Sequence, residues 1–566
     1  MNVFVASSCY AMLTNTAEVP SAAEAECRDS DPRTPPFLFK NIPPSQDDAI
    51  VVPEGYIAEV LYRWGDPING SSPQFRSDAS NTAEEQMRQT GMGHDGIEYF
   101  EIPGQDPSKR GLLAINHEYT DQVLLFQDGL EPLPPALMPI EKVLKSKASH
   151  GVSIIEIART LRGNWSVVAS PLARRITAET TMQISGPAAI RLGKSVRGTV
   201  NNCAAGRTPW GTYLSCEENF HGVFGTNEVS FAPSLSQQRY GLRPEGFAYT
   251  IDGKSIGAYR WWEQDRRFDL SNSDNDSNRF GYVVEIDPFD PESMPVKRTA
   301  LGRIKHENAE LVVAQDGRVV VYMGDDEMNE FVYKFVSAKS WKPNENAQRQ
   351  SDPNLLDEGT LYVARFNEDE TGNWLALVPG ENGIPIKAGP EDSEGFDAAD
   401  ICIRTRLAAS ATGATPMDRP EWVAVHPTSN EVYVSLTNNN GRKQTDNANP
   451  RTNNLFGHIL RWKEQGDDPT ATSFRWQVFI LAGNPSHKVP TQQGNVVGDA
   501  FGCPDGLKFD SEGVLWIQTD ISSSVLGKEG YAELGNNMML ATGTMESKAD
   551  ALALLLLLLE NETAGK

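Results

Sequence analysis

The sequence predicts a mainly β fold of the β-propeller type. Short alternating apolar segments bounded by Gly, Pro, Asn or Asp recur along the 566 residues and indicate strands. Some of these segments form hairpins whose open ends are polar or acidic. Loose repetition of hairpins at long spacing is typical of propeller blades, whose inner ends meet at a central channel. A long β-sandwich is the alternative, and it would scatter the acids. The five hairpins start near Gly93, Asn202, Glu307, Glu421 and Asp505.

The first part of the chain is predicted to be largely irregular. Residues 30–75 are rich in Pro, Ser and Asp, with one short strand at Tyr56–Trp64, and a short helix is predicted at Asn81–Thr90. The first hairpin pairs Ile97–Ile102 with Leu112–Ile115, and residues 120–150 are predicted as a helical insertion. Further strands are predicted at Ser153–Ile157, Trp165–Ala169, Tyr282–Ile286, Tyr333–Val336, Thr360–Phe366, Val423–His426, Val432–Leu436, Leu507–Phe509 and Val514–Gln518.

The segment from His306 to Glu327 is the clearest hairpin. It consists of a strand, the Asp316-Gly317 turn and a second alternating strand. In an antiparallel pair the start of the first strand lies beside the end of the second, so Glu307 and the acids at 325–327 are expected at one rim of the sheet. Carboxylates packed that closely repel one another, and hard cations relieve the repulsion. A polar hairpin with solvated ends is the alternative.

The composition is that of an acidic globular protein. The formal net charge is −25, with 22% charged and 39% hydrophobic residues. This charge argues against nucleic acid or an anionic membrane as the main partner. Six cysteines do not make a disulfide framework in a chain of this length. Cys203 and Cys216 could pair, but both border polar motifs, so a metal thiolate is a second interpretation.

We divide the chain into a leader or irregular segment (1–45), a β-propeller domain (46–540) and an atypical leucine-rich tail (541–566). The start has an Ala-x-Ala at Ala23–Ala25 but no basic region and no twin arginine, so it is a poor secretory signal as written. The run Leu554–Leu559 is too short to span a bilayer, and no transmembrane segment is predicted.

The candidate metal ligands are oxygen donors and one thiol at the hairpin ends. Carboxylate and amide oxygens suit calcium or magnesium, whereas one thiolate among carboxylates suits a metal such as iron. There is no His-x-x-x-His or Cys-x-x-Cys spacing for zinc, no G-x-S-x-G elbow, no Walker loop and no dinucleotide fingerprint after a strand. The candidates are Cys203, Glu217, Glu218, Glu307, Asp325, Asp326, Glu421 and Asp505, with Asn116 and Glu118 in reserve.

Arg419 precedes Glu421 by two residues and so lies beside the predicted cluster. A guanidinium there could bind an oxyanion such as phosphate through two parallel hydrogen bonds. The alternative is a salt bridge that neutralises neighbouring acids.

Several motifs together resemble the PhoX-type alkaline phosphatases: GMGHDGIEYF, NHE, NCAAGRTPWGTYLSCEEN, KHENAELV, YMGDDE, RPEWVAVHP and CPDGLKFD, in this order. The resemblance covers roughly residues 50–540. It implies a six-bladed β-propeller with helical insertions and a calcium-dependent phosphomonoesterase that carries ferric iron (Fe3+) with calcium (Ca2+). It also implies export to the periplasm or beyond, usually through the twin-arginine pathway.

Matched to the family motifs, Cys203 would be the iron thiolate, and Glu307 and Glu421 would be carboxylate ligands that take part in catalysis. Glu217, Glu218 and the triplet Asp325-Asp326-Glu327 would supply further oxygen ligands. Arg419 would contact the substrate phosphate.

After Leu540 the chain leaves the family pattern, so we expect an incomplete last blade with an unpaired edge. We expect a monomer that acts on a small phosphomonoester. The alternative function is a non-catalytic, calcium-stabilised propeller that serves as a binding module. A related propeller hydrolase such as a lactonase is a third interpretation.

Overall fold

The computed structural model describes residues 39–251, 254–343, 354–528, 530–543 and 550–554. Strands make up 32% of the described residues and helices 13%, so the fold is mainly β, as predicted. Most of the predicted leader and the tail beyond Leu554 lie outside the described residues.

The strands fall into five sheets. The first sheet contains β1 (His94–Glu101), β2 (Arg110–His117), β3 (Gly151–Arg159), β4 (Trp165–Val168) and β5 (Arg174–Ile176). The second contains β6 (Thr181–Ser185), β7 (Ser195–Arg197), β8 (Asn202–Arg207), β9 (Tyr213–Glu217), β12 (Val283–Ile286) and β13 (Val296–Arg298). Between β9 and β12 in sequence, β10 (Ala248–Ile251) and β11 (Lys254–Gly257) form a separate two-stranded sheet.

The third large sheet has nine strands and joins two antiparallel units through β18 and β22. Its strands are β14 (Glu310–Val313), β15 (Arg318–Gly324), β16 (Val332–Ser340), β17 (Gly359–Phe366), β18 (Thr371–Ala376), β19 (Pro420–Val425), β20 (Val432–Leu436), β21 (His458–Glu464) and β22 (Ser473–Leu481). The last sheet contains β23 (Val497–Gly498), β24 (Pro504–Phe509), β25 (Leu515–Thr519), β26 (Met539–Thr542) and β27 (Asp550–Leu554).

Five antiparallel units begin with β1, β8, β14, β19 and β24, and these are the five hairpins that the sequence predicts. These inner strands follow one another around a ring, because β1 contacts β8, β8 contacts β14, β14 contacts β19 and β19 contacts β24. Lys508 on β24 donates a hydrogen bond to Glu98 on β1 at 3.0 Å and so joins the last unit to the first. The sheets are therefore propeller-like. Six blades are what the resemblance implies, and strand pairing delimits five units in the described residues.

The hydrophobic core is divided among the units and the spaces between them. One cluster packs the first unit against the second around Phe100, Ile154 and Tyr213. Another packs the second unit against the third around Leu214 and Val321. Each sheet thus buries its faces against its neighbours in the ring, which keeps the inner strands in register with one another.

The helices are short and lie in the connections. They are α1 (Ala83–Gln86), α2 (Gln122–Leu125), α3 (Ile140–Ser149), α4 (Ala189–Leu192), α5 (Leu235–Arg239), α6 (Ala398–Ile403) and α7 (Thr405–Ala411), with 3-10 turns at Phe220–Val223, Trp261–Glu263, Arg266–Phe268, Ser277–Arg279, Thr299–Leu301, Gln465–Asp467 and Pro490–Gln492. The predicted helix at Asn81–Thr90 and the insertion at 120–150 are confirmed by α1, α2 and α3. Among these residues we find no helix of the length and apolar character that a bilayer crossing requires.

The predicted strand at Tyr56–Trp64 is wrong. Its residues form no strand, and Leu61 and Tyr62 instead pack on the face of the first sheet, against Leu113 and Ile155. Alternating apolar residues here cover a sheet face and do not extend a sheet edge.

The last unit has four antiparallel strands, β24 to β27. The backbone of the tail supplies β27, which pairs with β26 from Met539↔Leu554 to Thr542↔Ala551. The gap that we expected in this unit is thus filled, in the described residues, by the tail.

We predict that Lys508→Met destabilises the ring by leaving the buried Glu98 carboxylate, of which 5% is exposed, without its cation. The Lys508 side chain is 39% exposed, so solvent screens the pair and the loss should be modest, on the order of 1–2 kcal/mol in the free energy of unfolding. Chemical denaturation measures this loss. The double variant with Glu98→Gln should recover part of the stability, and a double variant less stable than Lys508→Met would contradict the assignment.

Candidate metal centre

The inner hairpins present acids and one thiol at two equivalent positions. The second residue of an inner strand is Asp95 on β1, Cys203 on β8, Glu421 on β19 and Asp505 on β24. The first residue after the partner strand is again an acid in four hairpins. These acids are Glu118 after β2, Glu218 after β9, Asp325 after β15 and Asp520 after β25. Because the two positions adjoin in an antiparallel hairpin, each hairpin directs its polar end to the same rim of the ring.

A β-bulge accompanies the first of these positions in every hairpin. Between two matched pairs the inner strand has one residue more than its partner, as between His94↔His117 and Ile97↔Ile115 on β1 and β2. The same shift occurs beside Cys203, Glu421 and Asp505. In the third unit the extra residue lies between the bridge His306↔Asp325 and the pair Glu310↔Tyr322, a stretch that contains Glu307. Since bulges re-aim side chains, they turn these residues toward the axis.

Four of the five bulges follow a residue with left-handed backbone. These residues are Gly93 (φ 61°), Asn201 (φ 47°), Arg419 (φ 57°) and Cys503 (φ 51°), each two positions before the acid or thiol. Glycine and asparagine accept this conformation easily, whereas arginine and cysteine accept it at a cost of about 1–3 kcal/mol. The surrounding fold holds Arg419 and Cys503 in this strained form, which is a feature of functional sites.

The thiol and six carboxylates come together in three overlapping groups. Asp95, Glu118 and Cys203 form one group, Cys203, Glu218 and Glu307 form a second, and Glu307, Glu421 and Asp505 form a third, with donor atoms within 4.8 Å of one another in each. The Cys203 Sγ lies 3.4 Å and 3.5 Å from the two carboxylate oxygens of Glu307. Cys203 and Glu307 are therefore the shared members that join the three groups into one cluster.

The cluster is electrostatically strained without a cation. Burial raises the pKa of Glu307, Glu421 and Asp505 well above the usual range, and neighbouring acids raise it further. Burial and the charge of Asp520 raise the pKa of Asp95 to about 7. Burial and the charges of Asp95 and Glu307 likewise raise the pKa of the Cys203 thiol. Protons or cations must compensate these groups.

Glu217 and Asn116 lie beside the cluster and make structural contacts. Glu217 is fully buried and pairs with Lys297 at 2.7 Å, while its second oxygen accepts from the backbone of Gly281 and Tyr282. The Asn116 amide donates to the carbonyls of Cys203 and Ala204 at 2.6 and 2.8 Å. The structure does not bring either side chain into the three groups, and Asn116 instead fixes the bulge that carries Cys203.

Each acid of the triplet Asp325-Asp326-Glu327, which we call the acidic triplet, faces its own cation. Asp325 is fully buried against Arg406, Asp326 accepts two hydrogen bonds from Arg419 at 2.8 and 2.6 Å, and Glu327 accepts one from Lys305 at 2.6 Å. None of the three belongs to the groups around Cys203 and Glu307 in the described part of the chain.

Arg419 lies where the sequence predicts it, next to the cluster. Besides Asp326, its guanidinium contacts Glu421 at 3.3 Å, and 32% of its side chain is exposed. The salt bridge that we considered as its alternative role is present. The Arg419 side chain is thus paired with acids and still partly open to solvent.

Sequence reasoning missed Asp95 and Asp520. Asp95 stands two residues after a left-handed residue at a hairpin start, as Cys203, Glu421 and Asp505 do. Its equivalent position in the first hairpin is the sequence feature that could have identified it as a ligand. Asp520 raises the pKa of both Asp95 and Asp505, so it lies near both carboxylates.

The residues present fit multivalent metal ions. The buried Oε1 of Glu218 and Oδ1 of Asp505 have no hydrogen-bond partner, although both residues lie in the cluster. A buried, unpaired carboxylate oxygen is costly, and a cation satisfies it. Oxygen donors with one sulfur at the axis of a propeller-like ring define a metalloenzyme centre.

Comparison with known proteins identifies the family. The model of the alkaline phosphatase PhoX family matches residues 37–565. Among solved structures, PhoX of Pseudomonas fluorescens in complex with vanadate, a transition state analogue, is 42% identical, with a TM-score of 0.83 over 92% of this chain and 89% of its own. The chain belongs to the alkaline phosphatase PhoX family. It is accordingly a metal-dependent phosphoric monoester hydrolase.

Two other structures match far less well. A gluconolactonase from Xanthomonas campestris (83% of this chain, 87% of its own) and a calcium structure of a family AA12 carbohydrate-active enzyme from Trichoderma reesei (81% and 96%) are each 11% identical, with TM-scores of 0.24 and 0.28. Similarity at this level does not bear on the fold or the function of this chain. No curated protein matches the chain.

We predict opposite pH dependences for the metal-free and metal-loaded protein. Asp95, Glu307 and Glu421 have folded pKa values above their unfolded ones, so their stabilising contribution to the metal-free protein is complete below the unfolded values. This stabilising contribution is lost as the pH rises through the folded-state pKa of each group, which is about 7 for Asp95. The Tm of metal-free protein should therefore fall between about pH 7 and about pH 9, where the unfolded histidines are already neutral.

Metal-loaded protein should hold or raise its Tm over the same interval, because cations bind the ionised carboxylates. Differential scanning calorimetry at several pH values measures both curves. Asp95→Asn is the control that should flatten the metal-free curve. A Tm of the metal-free protein that rises with pH would contradict the prediction.

Proposed function

We propose that this chain hydrolyses phosphomonoesters to inorganic phosphate at the cluster around Cys203 and Glu307. The observation that carries the proposal is the 3.4 Å contact between a buried thiol and a carboxylate at the hub of the ring. It occurs in a chain 42% identical to a protein solved with vanadate, a transition state analogue. Vanadate resembles a phosphoryl group in transfer, which supports phosphoryl chemistry in this chain.

The metals that we propose are ferric iron and calcium. A thiolate among carboxylates suits iron, so Cys203 with Glu218 and Glu307 would hold it. The all-oxygen group of Glu307, Glu421 and Asp505 suits calcium. Bound cations of this kind polarise phosphoryl oxygens, neutralise the charge that develops in the transition state and promote ionisation of water.

The protein's own contribution is to hold charges in fixed positions. Asp326 accepts two parallel hydrogen bonds from Arg419, so the guanidinium cannot rotate away from the cluster. Its exposed part would bind a phosphoryl oxygen and orient the ester. Glu307 and Glu421 are predicted catalytic residues: Glu307 joins two of the groups, and Glu421 shares the third with it and contacts Arg419 at 3.3 Å.

The remaining expectations concern partners and location. A net charge of −25 supports a small-molecule substrate and argues against nucleic acid. A monomeric state, and export to the periplasm or beyond, stay predictions, as do the domain limits at 45 and 540. Size-exclusion chromatography and fractionation of the producing cells test the first two.

Cys203→Ser and Glu307→Gln should each reduce the kcat for p-nitrophenyl phosphate by at least about 100-fold, since each removes an ionised ligand of the shared cluster. The fold should persist, because neither side chain is part of the hydrophobic clusters. Activity assays with circular dichroism measure both effects. Cys402→Ser is the matched control, as Cys402 is also a buried free thiol but lies in α6, outside the cluster. Near-normal turnover in both variants would refute the site assignment.

Elemental analysis with a phosphomonoester assay, before and after treatment with a chelator, tests the function directly. We expect iron and calcium in purified protein, and loss of activity on chelation. Protein that holds calcium without iron and turns over no phosphomonoester would support the binding-module alternative.

A further inference from the structure

The acidic triplet arranges three cations at the rim of the cluster. Each acid meets a basic residue from a different part of the chain: Asp325 meets Arg406, Asp326 meets Arg419, and Glu327 meets Lys305. Arg406 is fully buried against Asp325, so it is a structural cation. Arg419 and Lys305 are the two that remain near the cluster.

Lys305 is held tightly by its backbone and loosely by its side chain. Its N–H donates to Asp325 Oδ1 at 3.0 Å, and its carbonyl accepts from the Asp326 N–H at 3.1 Å. Its ammonium donates to Glu327 Oε2 at 2.6 Å, and Glu327 is its one hydrogen-bond partner among the described residues. An ammonium has three N–H donors, so two of them have no acceptor among the described residues, although only 5% of the side chain is exposed. Buried donors without acceptors are costly, which points to a ligand.

Lys305 also lies beside the metal cluster. It precedes Glu307, a member of two of the three groups, by two residues. Its carbonyl accepts from the N–H of Asp326, whose carboxylate holds the Arg419 guanidinium. Lys305 and Arg419 therefore approach the same rim from different segments of the chain.

We propose that Lys305 is a second oxyanion contact, which binds a non-bridging oxygen of the phosphoryl group together with Arg419. The inference rests on the proposed phosphomonoesterase function and deepens it. It assigns recognition of the dianionic phosphoryl group to two cations, each positioned by one acid of the triplet.

Glu327 is then a positioning residue that also competes with the ligand. Its side chain is 40% exposed and pairs with the Lys305 ammonium at 2.6 Å, so the carboxylate is ionised at the open rim. Its negative charge orients the Lys305 ammonium but disfavours an incoming phosphate. Removing the two partners should therefore have opposite effects on phosphate binding.

The test compares Lys305→Met with Glu327→Gln, using inorganic phosphate as the competitive inhibitor of p-nitrophenyl phosphate hydrolysis. Lys305→Met should raise the inhibition constant of phosphate and the KM by about 10- to 100-fold. Glu327→Gln should lower the inhibition constant, because the repulsion is removed while an amide oxygen can still accept from Lys305. Lys305→Arg should restore part of the phosphate binding. Lys339→Met is the matched control, as Lys339 pairs with Glu358 at 3.0 Å on the protein surface.

The outcomes separate this inference from the proposed function. If the unaltered enzyme hydrolyses the ester and is inhibited by phosphate, the proposed function stands whatever Lys305 does. Unchanged phosphate inhibition in Lys305→Met, or a shift in the same direction in Lys305→Met and Glu327→Gln, would mean a purely structural ion pair and would overturn the inference. If the unaltered enzyme neither turns over the ester nor binds phosphate, the proposed function itself fails.

Discussion

Mutual repulsion among buried carboxylates at the hub of the ring is the constraint on which the rest of the structure depends. Six acids and one thiol can be held together only if their backbones cannot move apart. The bulges aim them inward, and neighbouring units then lock the bulges. Asn116 binds the carbonyls of Cys203 and Ala204, and Ser435 donates to the carbonyl of Asp505. At Gly324 a side chain would come within 2.1 Å of the Glu421 carbonyl, so glycine permits the same close approach there.

Much of this design can be predicted from the sequence. Strand alternation and polar hairpin ends identify all five inner hairpins, because both are local properties. The choice between adjacent acids cannot be predicted in the same way. Glu217 ends β9 and binds Lys297, whereas Glu218, one residue later, reaches the cluster. Successive residues of a strand face opposite sides, so a shift of one residue decides which acid points to the axis.

The remaining discrepancies concern tertiary packing. The apolar pattern at Tyr56–Trp64 predicts a strand, but these residues cover the face of the first sheet. No property of the segment alone distinguishes a strand from a segment that covers a sheet. The outer strands β21 and β22 also go unpredicted, because they lie outside the inner hairpins whose polar ends mark the hub. Asp325 and Asp326 were predicted as ligands from their charge. Their arginine partners Arg406 and Arg419 are about 80 to 90 residues away in sequence and meet them only in the folded ring.

The hydrogen bond between Lys508 and Glu98 joins residues 410 positions apart in the chain. Asn41 and Gln46 donate hydrogen bonds to Asp499 and to the Ala532 carbonyl, which ties the start of the described chain to the last unit. Asp505 belongs to the final unit, so the group that it forms with Glu307 and Glu421 cannot exist until that unit has folded, and the seam then closes the ring. During synthesis on the ribosome, therefore, most of the chain emerges before the complete cluster can exist. Maturation of the enzyme with its full set of cations is consequently a late event, which only a finished ring can undergo.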